Sequence, residues 1–269
     1  MAEHTLSAYK RAVAVGSDAL ECDVRLTADG VLVCVHDRRV DRTSNGTGPV
    51  STLELSELSE LDFASWKHSD GGGSEAPDLI AGNDRFVLTL DVLLSYVRDC
   101  GRPVELAIET KHPTRWAGLV ERTLVRTLDR YGWAHPRLGS TVPVRVMSFS
   151  LLSLRRMRQL APSIPAVYLL ERVPLRFRDG TLPWNVRVAG PSIDIVRAHP
   201  GYVARVHAQG GRVHVWTVDD PEDVDLCLRL GVDAIITNRP DMVLEHRSAV
   251  RAANGAAGTR DQAFRSRVS

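Results

Sequence analysis

Two acidic residues stand two positions apart in an otherwise apolar stretch near the start of the sequence. Glu21 and Asp23 alternate with three apolar residues, Leu20, Cys22 and Val24. If this stretch is a strand, both carboxylates leave one face, because successive side chains in a strand point to opposite faces. Two carboxylates ~4 Å apart repel by about 4 kcal/mol at an effective dielectric constant of ~20. Either a bound cation relieves this repulsion, or the pair lies on a solvated face beside basic residues such as Arg25 or Lys10.

A second charged pair and a histidine follow other apolar runs. Glu109 and Lys111 end one run, and His36 ends another. Glu21, Asp23 and Glu109 together supply the oxygen ligands that a hard divalent cation prefers. His36 and Lys111 are of the types that transfer protons and stabilise anions. The sequence therefore predicts a metal site with catalytic groups beside it, and a purely structural role for these residues is the alternative.

The N-terminal elements must position these groups. Apolar residues at helical spacing predict a helix over residues 1–16, with Thr5 as its N-cap. Residues 19–26 and 31–36 are predicted to be strands, and the Thr-Ala-Asp-Gly connection between them is a hairpin signal. A connection this short cannot cross over to a parallel strand, so we expect antiparallel neighbours.

An alternation of strands and helices follows along the chain. Strands are predicted at residues 104–109, 144–149, 166–170, 213–218 and 234–237, with a weaker one near 193–196. Helices are predicted at residues 90–98, 116–131, 151–160, 202–209 and 221–230. Helices of crossover length between strands indicate a parallel sheet. With residues 19–26 this makes seven parallel strands, whereas a closed (β/α)₈ barrel has eight.

Two segments depart from this alternation. Residues 37 to about 85 are predicted to form an irregular insertion, with turn-forming residues at 41–48, a short helix at 53–61 and a loop at 69–74. The tail at residues 247–269 shows no periodicity and is predicted to be disordered. We therefore expect one domain over residues 1–246.

The composition excludes several classes of protein. The 269 residues carry 34 Lys and Arg against 33 Asp and Glu, a formal net charge of +1, and 43% are hydrophobic. This is the composition of a globular protein with enough material for a buried core. The balanced charge argues against a nucleic-acid partner, and no apolar run reaches the ~18–20 residues of a transmembrane segment. Four cysteines without CxxC spacing are too few for a disulfide scaffold.

Several short stretches, taken in order along the chain, resemble the glycerophosphodiester phosphodiesterase family, a branch of the phospholipase-C-like (β/α)₈ phosphodiesterases. The stretches lie at residues 3–9, 16–30, 33–37, 41–48, 108–111, 148–149, 215–218 and 231–240. They include Glu-Cys-Asp at 21–23, His-Asp at 36–37 and Glu-Thr-Lys at 109–111. The resemblance covers nearly the whole chain. It implies an α/β fold of the (β/α)₈ TIM-barrel type, with a β-hairpin and a small insertion after the second barrel strand.

The resemblance also implies roles for particular residues. His36 matches one of two acid–base histidines, Lys111 a phosphate-facing lysine, and Trp216 an aromatic residue that lines the substrate pocket. Thr110 replaces an apolar residue usual in the family and is expected to point away from the site. The implied reaction is metal-dependent hydrolysis of a small glycerophosphodiester to glycerol 3-phosphate and an alcohol. The implied cofactor is a divalent cation, Ca²⁺ or Mg²⁺, and its ligands are Glu21, Asp23 and Glu109.

One feature of the family is absent from this sequence. Members open with a strand that ends in His-Arg-Gly and carries the other catalytic histidine and a phosphate-binding arginine, whereas here Met1 and Ala2 directly precede Glu3. We therefore expect the natural polypeptide to start upstream of Met1, and the 269-residue chain, a barrel lacking its first strand, to be poorly active or inactive. A degenerate paralogue is the alternative, which a mass measurement on protein from native cells would distinguish. The opening residues show no secretion signal, which by itself predicts a cytoplasmic protein.

Two other functions remain open from the sequence. A lysophospholipase D-like phosphodiesterase would need a wider apolar mouth than a glycerophosphodiesterase. A non-catalytic barrel could keep the cation site in order to hold a phosphoanion, and would bind its ligand without releasing product.

Overall fold

The computed structural model of the protein describes residues 1–68, 85–116, 118–137 and 142–250. The chain divides into two compact units. The first comprises Met1–Leu170 and Leu182–Ala189, and the second comprises Glu171–Thr181 and the chain from Gly190 onward. All the predicted metal ligands and both predicted catalytic residues lie in the first unit, whereas Trp216 lies in the second.

The described residues alternate between strands and helices much as the sequence predicts. The strands are β1 (Ala19–Leu26), β2 (Leu32–Cys34), β3 (Glu105–Thr110), β4 (Val144–Ser148), β5 (Ala166–Leu170), β6 (Val188–Pro191), β7 (Arg212–Val215) and β8 (Ala234–Ile235). The helices are α1 (Leu6–Ala14), α2 (Leu55–Ser59), α3 (Leu90–Asp99), α4 (Leu119–Arg130), α5 (Leu151–Leu160), α6 (Ile193–Ala198), α7 (Gly201–Ala208), α8 (Pro221–Leu230) and α9 (240–250).

The sheet of the first unit places the two halves of the predicted metal site side by side. Its strand order is β2-β1-β3-β4-β5. β2 is antiparallel to β1, as the short hairpin connection predicts, and β1, β3, β4 and β5 are parallel neighbours. In the β1–β3 register Asp23 lies opposite Glu109. Because paired residues on adjacent strands point to the same face, both carboxylates leave the same side of the sheet.

The other face of this sheet forms the core of the first unit. Leu20, Cys22 and Val24 of β1 are almost fully buried, as predicted. They belong to one apolar cluster with residues of β3 and of the surrounding helices, among them Leu106, Ile108, Leu90, Leu94, Leu124 and Leu128. Burying this face fixes the register of β1 and β3, since a shift by one residue would exchange the two faces of a strand. Core packing therefore determines where the carboxylates lie.

The described part of the predicted insertion packs into a small apolar core together with residues on either side of it. Its short helix is α2, within the predicted 53–61. The predicted loop at 69–74 lies outside the described residues. Seven buried apolar side chains form this core, Val33, Val35, Val40, Val50, Leu58, Phe63 and Val87. The insertion is thus anchored beneath β2, the strand after which His36 lies.

The weaker strand predicted near residues 193–196 is wrong. These residues begin α6, and the strand is β6, five residues earlier. Ser192 caps the helix, because its side chain accepts a hydrogen bond from the amide of Ile195, and Asp194 lies in the first turn, where an acidic residue favours the helix dipole. Ile193, Ile195 and Val196 are β-branched residues, which favour strands, and all three are buried. This pattern predicts a strand although the residues are helical.

The second unit contains a parallel strand pair and, in its described part, the helix α9. β7 and β8 are parallel neighbours, and Ser192 forms an isolated parallel bridge with Trp216. α9 runs to residue 250, so residues 247–250 of the predicted disordered tail are helical, and the rest of that tail lies outside the described residues. Within the described parts of the chain, no helix combines the length and the apolar character that crossing a bilayer requires.

Candidate functional site

The three predicted metal ligands lie together. Oxygen atoms of Glu21, Asp23 and Glu109 are within 4.8 Å of one another. Glu21 and Asp23 leave the same face of β1, and the β1–β3 register brings Glu109 next to Asp23. Asp23 and Glu109 are buried, and Glu21 is partly exposed. Glu21 and Glu109 are 88 positions apart in the sequence, and the structure brings them together.

Lys111 lies between two of these carboxylates. Its Nζ atom is 3.0 Å from Asp23 Oδ1 and 3.0 Å from Glu109 Oε2, and 11% of the side chain is exposed. On a solvated strand face, Arg25 would have been a partner for Glu21 and Asp23. It instead donates two hydrogen bonds to the backbone carbonyl of His36. The ammonium group of Lys111 is thus the cation that the structure places among the acidic side chains.

The charges of this cluster shift its pKa values in opposite directions. Burial, followed by the charges of Asp23 and Glu109, raises the pKa of Glu21 well above its usual range. Burial and the charge of Asp23 also raise the pKa of Glu109, to about 7, against the opposing charge of Lys111. Burial would raise the pKa of Asp23 too, but the hydrogen bond and charge of His4 and the charge of Lys111 outweigh it and hold this pKa well below its usual range.

The donor set fits a hard divalent cation. Three carboxylates face one ammonium group, so the site keeps an excess of negative charge when all three acids are ionised. Among the described residues, the carboxylate of Glu21 has no hydrogen-bond or salt-bridge partner, and its pKa is set by burial and by the charges around it. Oxygen ligands in a partly dehydrated, negatively charged site are what Ca²⁺ and Mg²⁺ prefer. A cation there would neutralise the repulsion that raises the pKa of Glu21 and Glu109.

The structure adds a residue to this cluster that the sequence did not indicate. Nε2 of His4 is 2.9 Å from Asp23 Oδ2, and Nδ1 of His4 is 2.7 Å from the hydroxyl oxygen of Tyr9. His4 directly precedes Thr5, which is the N-cap of α1 as predicted. No spacing in the sequence pattern relates His4 to Asp23. The available signal for His4 was its position next to the predicted N-cap, Thr5.

His36 lies at the end of β2 in a network of charged side chains. Its Nδ1 atom is 2.7 Å from Asp37 Oδ1, and about half of the ring is exposed. Arg42 donates hydrogen bonds to Asp37 and to Glu3 at the same time, with distances of 2.7 Å from Nε to Asp37 Oδ2 and 2.6 Å from Nη2 to Glu3 Oε1. Hydrogen bonds from Arg42 and His36 overcome the effect of burial and lower the pKa of Asp37 to about 2. Asp37 is therefore an anionic partner that orients the imidazole of His36.

A surface recess links the two histidines. His4 and His36 both line it, together with Glu3, Thr43 and Phe63. His4 also contacts Asp23, so this side chain lies between the recess and the acidic cluster. The predicted acid–base histidine and the predicted metal ligands thus belong to one region of the first unit.

The remaining predicted residues have definite surroundings. Thr110 points away from the carboxylates, as expected: its side chain is fully buried, and its hydroxyl oxygen is 2.7 Å from that of Ser153 on α5. The indole N–H of Trp216 donates to the backbone carbonyl of Gly190 at 2.6 Å, and the side chain is partly buried in the second unit. Its predicted contact with substrate stays a prediction.

Comparisons with known proteins point to one family. The sequence matches the family described as Glycerophosphoryl diester phosphodiesterase over residues 1–242. It is 44% identical over 238 residues to "Probable glycerophosphodiester phosphodiesterase 1" of Mycobacterium tuberculosis, which covers 88% of this chain and 85% of that protein. It is 29% identical to a glycerophosphodiester phosphodiesterase of Bacillus subtilis, over 89% of this chain and 80% of that protein.

Solved structures share the fold. A phosphodiesterase of Oleispira antarctica, solved in complex with the product sn-glycerol-3-phosphate, superposes with a TM-score of 0.74 at 22% identity, covering 91% of each chain. The glycerophosphodiester phosphodiesterase of Agrobacterium tumefaciens superposes with a TM-score of 0.69 at 24% identity, over 90% of this chain and 92% of that one. The expected α/β fold is confirmed. Since the family match extends over most of the sequence and the M. tuberculosis relative is 44% identical, the chain belongs to the glycerophosphoryl diester phosphodiesterase family.

Proposed function

We propose that the protein is a metal-dependent phosphoric diester hydrolase that converts glycerophosphodiesters to glycerol 3-phosphate and an alcohol. The observation that carries this proposal is the convergence of three carboxylates within 4.8 Å, beside a buried lysine, in a member of this family. The names of its relatives and the glycerol 3-phosphate bound to the O. antarctica protein indicate the substrate class.

We further propose that the cation is Ca²⁺ or Mg²⁺, held by Glu21, Asp23 and Glu109. When bound, it supplies positive charge to the phosphate oxygens as negative charge develops in the transition state. The distances among the three carboxylates support this assignment, as does the lack of a partner for Glu21 within the described residues. Occupancy of the site requires these acids to be ionised, because a protonated carboxyl group is a poor ligand.

The remaining groups act on the phosphate and on protons. Lys111 supplies a second positive charge close to the cluster, suited to hold a phosphate oxygen. Asp37 holds the Nδ1 side of His36, so Nε2 is the atom that exchanges a proton with the attacking or leaving oxygen. Trp216 is proposed to bind the substrate, as the resemblance implies.

We expect protein with the N-terminus that its native cells produce to release glycerol 3-phosphate and choline from glycerophosphocholine. Released choline and glycerol 3-phosphate are measured with enzyme-coupled assays, before and after treatment with EDTA. Activity should disappear in EDTA and return with added Ca²⁺ or Mg²⁺, because the three carboxylates cannot neutralise the phosphate themselves.

The same assay distinguishes the alternatives. Faster choline release from lysophosphatidylcholine than from glycerophosphocholine would indicate a lysophospholipase D-like enzyme. Tight binding of glycerol 3-phosphate without release of any product would indicate a non-catalytic phosphoanion-binding protein. Hydrolysis that continues unchanged in EDTA would contradict the metal dependence.

A further inference from the structure

His4 has an unusual backbone conformation at the edge of the acidic cluster. Its φ is 53°, in the left-handed region that residues other than glycine rarely adopt. The segment around it is pinned by Thr5, whose side chain donates a hydrogen bond to the carbonyl oxygen of Ala2 and accepts one from the amide of Ala8. This conformation turns the His4 ring inward, where 12% of the side chain is exposed. Non-glycine residues keep such conformations where the surrounding contacts hold them.

Both nitrogen atoms of the His4 ring have buried partners. The hydroxyl group of Tyr9 is 2.7 Å from Nδ1, and Asp23 Oδ2 is 2.9 Å from Nε2. An ionised carboxylate only accepts hydrogen bonds, so Nε2 is the donor to Asp23. The hydroxyl group of Tyr9 can then donate to Nδ1, which fixes this tautomer. Tyr9 is 7% exposed and lies on α1 in the apolar cluster, which holds the hydroxyl group in place.

These contacts restrain the carboxylate of Asp23 from one side. Oδ2 accepts from His4, while Oδ1 faces the ammonium group of Lys111 at 3.0 Å. With Oδ2 engaged, the carboxylate cannot rotate about its last bond without losing a buried hydrogen bond. Oδ1 is therefore the oxygen left on the side of Lys111, whose ammonium group also contacts Glu109. Histidine–carboxylate pairs of this kind orient the ligands of metal ions.

We propose that Tyr9 and His4 form a buried relay that positions the carboxylate of Asp23 to receive the divalent cation. His4 and Tyr9 are positioning residues: they act through Asp23 and do not themselves contact the ion or the substrate. This inference rests on the proposed function, because it presupposes that the cluster binds a cation.

The test measures cation affinity instead of activity. Wild-type protein and variants are titrated calorimetrically with CaCl₂ and with MgCl₂ at one fixed pH, and thermal unfolding in EDTA shows whether each variant is folded. His4→Leu removes both polar contacts and should weaken cation binding by about 10- to 100-fold. His4→Gln, whose amide can still donate to Asp23, should recover part of that loss, and Tyr9→Phe, which removes one oxygen atom, should weaken binding in the same direction by less.

Tyr131→Phe is the matched control. It removes a hydroxyl group bonded to Ser95 and to the carbonyl of Asp91, away from the acidic cluster, and should leave cation affinity at the wild-type value. Wild-type affinity in folded His4→Leu would overturn the relay while leaving the metal site intact. If His4→Leu does not fold, wild-type affinity in folded Tyr9→Phe overturns it instead. Absence of cation binding by the wild-type protein would overturn the proposed metal site together with the relay.

Discussion

In protein with the N-terminus that its native cells produce, Glu21→Gln is expected to lower hydrolysis of glycerophosphocholine by at least about 100-fold, because it removes one of three ligands to the cation that stabilises the transition state. The chain should stay folded. Glu21 is partly exposed, and its carboxylate has no hydrogen-bond or salt-bridge partner among the residues the structure describes. Glutamine also removes the repulsion from Asp23 and Glu109 that raises the pKa of Glu21, so the free energy of unfolding in EDTA should be equal to or above that of the wild type.

Glu105→Gln is the control for this substitution. Glu105 is exposed at the opposite end of β3 and pairs with Arg145. Its neutralisation should leave turnover and metal dependence unchanged. Wild-type turnover by Glu21→Gln in EDTA-treated buffer would show that Glu21 does not hold a catalytic cation.

Lys111→Met is expected to destabilise the metal-free protein by about 3–5 kcal/mol, the cost of leaving buried charges without their partner. The ammonium group of Lys111 lies 3.0 Å from both Asp23 and Glu109, and 11% of the side chain is exposed. Methionine fills a similar volume without a charge, so the loss is electrostatic. Addition of Ca²⁺ should restore much of this stability, because the cation supplies the charge that the variant lacks.

Urea denaturation with EDTA or with CaCl₂ measures both effects. Lys10→Met, on the exposed side of α1, removes the same charge outside the cluster and should change the free energy of unfolding little. If Lys111→Met has the wild-type stability in EDTA, or if Ca²⁺ stabilises the variant and the wild type equally, the close coupling between Lys111 and the carboxylates is contradicted.

Much of the candidate site follows from the period-two pattern of β1. Leu20, Cys22 and Val24 must face a core, which forces Glu21 and Asp23 to the opposite face. The position of Glu109 beside them required one further step, the pairing of two parallel strands whose charged residues both follow apolar ones. Local patterns and strand pairing therefore predict which carboxylates meet.

The sequence predicts less well what depends on contacts between distant segments. His4 reaches Asp23 because α1 packs against β1, and Arg42 joins Asp37 to Glu3 because the insertion folds back over the N-terminal segment. β6, with the sequence Val-Ala-Gly-Pro, lacks the apolar alternation of a strand, whereas the buried face of α6 imitates one. In each case tertiary packing, and not local preference, determines the structure.

A crystal structure of the protein with bound calcium tests the central claim most directly. Data collected at a long wavelength locate Ca²⁺ by its anomalous scattering. We predict one peak within about 2.3–2.6 Å of an oxygen atom from each of Glu21, Asp23 and Glu109. The claim would be contradicted if, at saturating calcium, the ion binds elsewhere and the ammonium group of Lys111 is the only cation among the three carboxylates.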